Sequence, residues 1–459
     1  MKNEKRPLRA GISLLLFLGL IVGTAAACLA AAPALQPLSL EQALKIARDN
    51  NLQRRLAQSD LQVARDKTAQ STAAYGPNLT LSGGAYHYND QPSEIKLAQS
   101  LADLNNGLSG LTGLPVQTGP DDGLNYYGLK IHLEQPLYTG NKLNATHKQA
   151  QANQANAQSN LAATDNDLVF QVKQAYYTTV YCQDVKKTMD EAVTSMARHL
   201  EEANAYYKVG AVPKLDVLRA EVKLADLQQK QVLAENNLNL AQSALNNVLG
   251  IDLNTRFSLD EPLKYGPLAP DLATCQSQAL INRPELAAQK AKVEMARQAV
   301  TISQSGTKPM VAFVVDGQHT EPNNASPSLQ YGIVATMKLY DSGMVKNQVA
   351  EAQDTLQKAQ TGQELLERGI KLEVEQAYRN VQAALKTIDV AAKSMAQAQE
   401  TEKMAAARYQ AGLSTSLERI DAEVGLTQTQ TNYTQALSMY NIALAQLDRA
   451  IGGQSQASQ

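Results

Sequence analysis

Apolar positions along this chain follow two periods, and each change of period marks an element. From Leu40 to Ala74 they recur at helical spacing, with Ser39 placed to cap and Glu41 and Gln42 in the first turn. Gly76-Pro77 stops that helix. Leu79, Leu81, Gly83 and Ala85 then alternate with Thr80, Ser82 and Gly84, which predicts a strand. A second alternation follows, with Tyr127, Leu129, Ile131 and Leu133 against Lys130, His132 and Glu134, and Pro136 is expected to end it. Between the two strands, residues 89–125 hold Pro92, Gly107, Gly110, Gly113, Pro115, Gly119, Pro120 and Gly123, the composition of an irregular loop. From Asn144 to Tyr207 there is no proline, so one helix of roughly 96 Å is predicted. Gly210 and Pro213 turn the chain, and Leu215 to Leu249 returns as a partner helix.

The same order then repeats. A helix is expected from Asp271 to Ser305, with strands over Val311, Phe313 and Val315 and over Tyr331, Ile333, Ala335, Met337 and Leu339. A second helix of roughly 100 Å spans Gly343 to Tyr409, interrupted only by Gly362 and Gly369. Gly412 turns it, and Leu417 to Ile451 returns. The repetition extends to residue types. Tyr207-Lys208-Val209-Gly210 recurs as Tyr409-Gln410-Ala411-Gly412, and Val172-Lys173-Gln174-Ala175-Tyr176 as Val374-Glu375-Gln376-Ala377-Tyr378, both at an offset of 202. Val63-Ala64-Arg65 and Pro77 match Met295-Ala296-Arg297 and Pro309 at 232, so roughly thirty extra residues fall in the loop of the first copy. The chain thus divides into a targeting segment over 1–34, a first repeat over 38–252, a linker over 253–270, a second repeat over 271–453 and a tail over 454–459.

Composition supports long helical seams over a thick globular core. The 459 residues include no Trp and four Phe, with a mean hydropathy of −0.31. A net charge of −2 offers no electrostatic case for nucleic acid. At the N-terminus Lys2, Lys5, Arg6 and Arg9 precede an apolar run from Ile12 to Val22, the layout of a secretory signal peptide. Two processing routes stay open, cleavage after Ala25-Ala26-Ala27 or Ala32-Pro33-Ala34, and acylation at Cys28. Cys182 and Cys275 also carry two readings. Cys182 falls in the sevenfold series Leu161, Leu168, Ala175, Cys182, Met189, Met196, the seam of a coiled coil, yet an exported pair at similar heights along the helices could form a disulfide.

The strands decide the compartment. Each is about ten residues, the length of a tilted transmembrane strand, with one apolar side for lipid and one polar side for a lumen. Four strands leave two unpaired edges, which hydrocarbon does not tolerate, so several chains must share one barrel. Phosphate-loop, zinc-protease and nucleophile-elbow signatures are lacking, and no cofactor is expected. The histidines at 87, 132, 147, 199 and 319 show no ligand spacing and read as surface, lumen or loop residues.

With two helix–strand–strand–helix units, Gln135-Pro136-Leu137-Tyr138-Thr139-Gly140 ahead of the long helix and paired Tyr-x-x-Gly tips, the chain resembles the TolC-like outer-membrane efflux proteins. The resemblance implies a mostly α fold with a membrane β-barrel: a long antiparallel coiled-coil tunnel and a homotrimer whose three chains give four strands each to a twelve-stranded barrel. It implies passive conduction, with no enzyme activity, from an inner-membrane transporter of RND, ABC or MFS type through a periplasmic adaptor. The rival reading, a periplasmic adaptor, needs no duplicated strand pair. Helix-tip turns are expected at Tyr207, Gly210 and Gly412. By resemblance, Glu418 and Asp421 ring the periplasmic entrance, against the plain reading of solvated charges near a helix start. Asp216 and Tyr409 occupy positions whose polar links close the entrance. The basic residue common two places after the second tip glycine is Ser414 here, leaving Arg419 or Lys214 as substitutes.

Overall fold

A computed structural model describes residues 36–87, 125–259, 262–267, 270–321 and 327–453. The targeting segment with Cys28, the loop over 89–125 apart from Asn125, and the tail over 454–459 lie outside the described residues.

Each repeat is two short helices, a strand pair and a long hairpin. In the first, α1 (Leu40–Asn50) and α2 (Leu52–Ala73) precede β2 (Asn78–His87), β3 (Asn125–Tyr138), α3 (Lys142–Lys208) and α4 (Lys214–Leu249). In the second, α5 (Leu272–Asn282) and α6 (Pro284–Gln304) precede β5 (Met310–Glu321), β6 (Ser328–Thr336), α7 (Met344–Gln410) and α8 (Ser416–Ile451). β1 (Gln36–Pro37), just ahead of the first repeat, pairs in parallel with β4 (Phe257–Ser258), which lies in what reads in sequence as the linker. Leu38 and Leu259 beside them are buried against Leu168, Val172 and Tyr176 of α3.

At 67 residues each, α3 and α7 run about 100 Å. In a folded chain most of the stability of such helices comes from packing of one face. The buried faces obey the repeat: Leu168 and Val172 match Ile370 and Val374, and Leu245 matches Leu447. Gly362 and Gly369 do not interrupt α7. At Gly362 a Cβ would come within 3.3 Å of the Gln289 side chain, which donates to the Ala359 carbonyl at 2.9 Å, so the glycine admits a close neighbour.

The expected single helices over 40–74 and 271–305 are each broken, at matching places. Asn51 ends α1 and caps α2, its Oδ1 accepting the Arg54 N–H at 3.1 Å and its Nδ2 donating to the Val248 carbonyl at 3.1 Å. Arg283 ends α5, and Pro284 opens α6 at the first position, where its missing N–H costs nothing. Left-handed glycines press on both breaks. A Cβ on Gly250 would meet the Asn50 carbonyl at 2.8 Å, and one on Gly452 would meet the Asn282 backbone at 2.9 Å. Duplication therefore survives as backbone contact where sequence identity has faded.

The four strands form one antiparallel sheet in the order β2-β3-β5-β6. Facing residues fall into rows. Leu79, Leu133, Val315 and Tyr331 make one apolar row, and Leu81, Ile131, Gly317 and Leu329 the next. The opposite face carries Thr80, His132, Asp316 and Gln330, then Ser82, Lys130, Gln318 and Ser328. Pro136 does not end β3. Pairing with β2 stops at Glu134, so β3 is an edge there and needs no N–H on that side, and a register shift follows before Tyr138. β5 runs on to Glu321, and β6 lies over 328–336, earlier than the sequence suggests. Among the described residues no helix is long and apolar enough to cross a membrane.

Candidate functional site

Both long hairpins turn by one device. Gly210 adopts φ +77°, its N–H donating to the Tyr207 carbonyl at 2.9 Å while that of Ala211 donates to Tyr206 at 2.8 Å. Gly412 adopts φ +72°, with bonds to Tyr409 at 3.0 Å and from Leu413 to Arg408 at 2.8 Å. These pairs satisfy the last carbonyls of α3 and α7, and the left-handed position asks for glycine. Re-entry differs: Pro213 precedes α4, whereas Thr415 caps α8 by accepting the Glu418 N–H at 3.3 Å.

Glu418 and Asp421 are exposed on α8, three residues apart and so on one face. Asp216 is half-buried at the start of α4, 3.7 Å from Arg219. Tyr409 is buried at 4% exposure, and its hydroxyl has no partner. Burial, then the charge of Asp216, pushes the Tyr409 phenol above its ordinary range. The structure thus brings Asp216 and Tyr409 into electrostatic reach without a hydrogen bond between them. Tyr207 is exposed at the first tip, as is Lys214. Ser414 holds a buried hydroxyl without a partner. Arg419 faces inward: it ion-pairs with Glu202 of α3, and its guanidinium lies 5.5 Å from the Tyr409 ring centre.

His199 corrects the sequence reading of surface, lumen or loop histidines. It is fully buried on α3, with Nε2 hydrogen-bonded to Ser416 Oγ of α8 at 2.9 Å. Its ring meets that of Tyr409 edge-on at 5.0 Å, and Tyr206 also meets Tyr409 edge-on, at 5.9 Å. Burial, then the nearby Arg419 charge, lowers the His199 pKa to about 4. The signal for it was present. Met189, Met196 and Ala203 continue the sevenfold seam, and Ala192 and His199 fall at its intermediate positions, all buried.

The cysteine pairing is not formed; both thiols are free. Cys275 is packed within the second repeat among Ile370, Val374 and Leu447, while Cys182 lies half-buried on α3 of the first. Burial raises both thiol pKa values, so neither is an activated thiolate.

A family model described as outer membrane efflux protein matches residues 43–251 and 276–453. The chain belongs to that family. This outer membrane efflux protein is similar to outer membrane protein TolC of Vibrio cholerae, 24% identical over 345 residues, 71% of this chain and 76% of the relative. It is 22% identical over 442 residues to outer membrane protein TolC of Escherichia coli, covering 91% of this chain and 83% of the relative. Its fold matches the crystal structure of the outer membrane protein VceC from Vibrio cholerae with a TM-score of 0.74 at 19% identity, covering 90% of this chain and 96% of that one. The architecture is that of a channel-tunnel, a helical tunnel joined to a barrel, and the protein is an outer-membrane component that extends into the periplasm. Family members of this kind work as trimers beside adaptor and inner-membrane transporter proteins.

Proposed function

We propose that three copies of this chain form a passive conduit that receives substrates from an inner-membrane transporter through a periplasmic adaptor. One observation carries this reading: a four-stranded sheet, apolar on one face and polar on the other, continues into hairpins about 100 Å long. Two open edges per sheet call for closure between chains, and twelve strands give a barrel wide enough for a wet lumen. The rival of a periplasmic adaptor leaves the lipid-type face without a use. In the conduit Glu418 and Asp421 line the narrow periplasmic end, Asp216 and Tyr409 sit where neighbouring hairpins meet, and Tyr207, Gly210 and Gly412 form the tips.

The test is fractionation followed by electrophoresis with and without heating. A trimer in outer-membrane extracts that dissociates on boiling and conducts ions in planar bilayers is the expected result. A soluble periplasmic protein, or a conducting monomer, would overturn it.

A further inference from the structure

We propose that His199, bonded to Ser416 across the two hairpin tips, is a proton-responsive clasp that holds the periplasmic entrance shut while it is neutral. The inference rests on the conduit reading above and adds a regulator to it.

Two side-chain links tie α3 of the first hairpin to α8 of the second at one height: His199 to Ser416 and Glu202 to Arg419. The first tip and the second cannot separate while both hold. The surroundings of His199 suit a neutral ring. Arg419 and Ser416 face it from α8, Tyr409 from α7, and Glu202 and Tyr206 from its own helix. Asp216 of α4 acts one layer out, through Tyr409. Glu423 lies one turn along α8 from Arg419, buried and with a raised pKa, and the charges of Glu402 on α7 and Arg198 on α3 act on it. Among the described residues Glu202 is the carboxylate whose charge acts on the ring, and it is already taken by Arg419, while His199 Nδ1 has no hydrogen-bond partner. A proton added to Nδ1 would be a buried donor without a partner beside a guanidinium, which the closed arrangement resists.

The sign follows. With His199 bonded to Ser416 its pKa is about 4, whereas a histidine freed into water titrates near 6.5. The closed state therefore binds fewer protons between these values, and acidification favours opening. From about pH 7.5 to about pH 5 the open-to-closed ratio should rise about thirtyfold per subunit, with three subunits compounding.

Single-channel recordings of the assembled trimer across that range test this. Wild type should show a steep rise in open probability below about pH 6.5. His199→Gln, which keeps a hydrogen bond to Ser416 and does not titrate, should flatten the rise. Arg419→Gln removes the charge that opposes protonation and frees Glu202, which brings the clasped-state pKa of His199 toward the freed value. It should raise open probability at neutral pH by loss of one link and shrink the acid-driven rise, and this variant decides the matter if His199→Gln does not assemble. A wild-type trimer that conducts with pH-independent open probability, or variants that keep the wild-type curve, would overturn the clasp. A trimer that conducts at no pH would instead sink the conduit reading.

Discussion

Glu418 and Arg419 are adjacent on α8 and point to different fates. Glu418 is exposed with Asp421, while Arg419 is 7% exposed and bound to Glu202. One step of about 100° around the helix separates the water-facing side from the wall. Three copies would set six carboxylates around the opening, raising local cation concentration. Replacing Glu418 and Asp421 with alanine should lower cation selectivity and weaken block by divalent cations in bilayer recordings, with the trimer intact. Unchanged selectivity would return both to the standing of ordinary solvated charges. The shared exposed face of Glu418 and Asp421 was legible because their neighbourhood in sequence, the tip glycine and the cap, is local. The His199 cluster was not, since it joins residues 217 apart whose meeting depends on how two hairpins pack. Only the seam spacing hinted that His199 points inward.

At the scale of elements, periodicity gave the long helices and the sheet almost complete, because each buries one continuous face. It overran the breaks at Asn51 and Arg283, where apolar spacing continues through the junction and only the caps mark the interruption. Pro284 was the readable sign in the second copy; Asn51 left a weaker one. It also missed β1 and β4, two residues each, too short to show any period. The glycines that press on these breaks differ from those at the tips, and a paired substitution separates them. Gly210→Ala faces open space and should cost about 1–2 kcal/mol for the left-handed backbone alone. Gly250→Ala adds a collision with Asn50 and should cost a further ~1–3 kcal/mol. Thermal unfolding of the two variants checks the order. A Gly250→Ala protein as stable as Gly210→Ala would contradict the packing described.

Across the whole molecule, the duplication supplies the contact between chains. Within the chain Leu81 faces Ile131 and Phe313 faces Ile333, the same pair displaced by 232 and 202. β3 meets β5 with Ile131 opposite Gly317. Carried to the open edges, that register sets Ala85 of β2 opposite Ile333 in β6 of the neighbouring subunit. Cysteines at both positions should yield a covalent trimer under oxidation, and a pair displaced by two residues should cross-link far less. Equal yields would mean a different closure. The helix bundle shows the same gap: Leu52 and Leu56 of α2 are 67% and 65% exposed, while their counterparts Pro284 and Ala288 are buried. Three residues separate β3 from α3, two of them left-handed, and a Cβ on Gly140 would stand 2.6 Å from Lys308 at the other crossing. With so little slack between β3 and α3, the first hairpin is held stiffly to the sheet, whereas seven residues join β6 to α7. A twist applied at the tip of the first hairpin should therefore reach the sheet as torque, with no flexible joint at that crossing to absorb it.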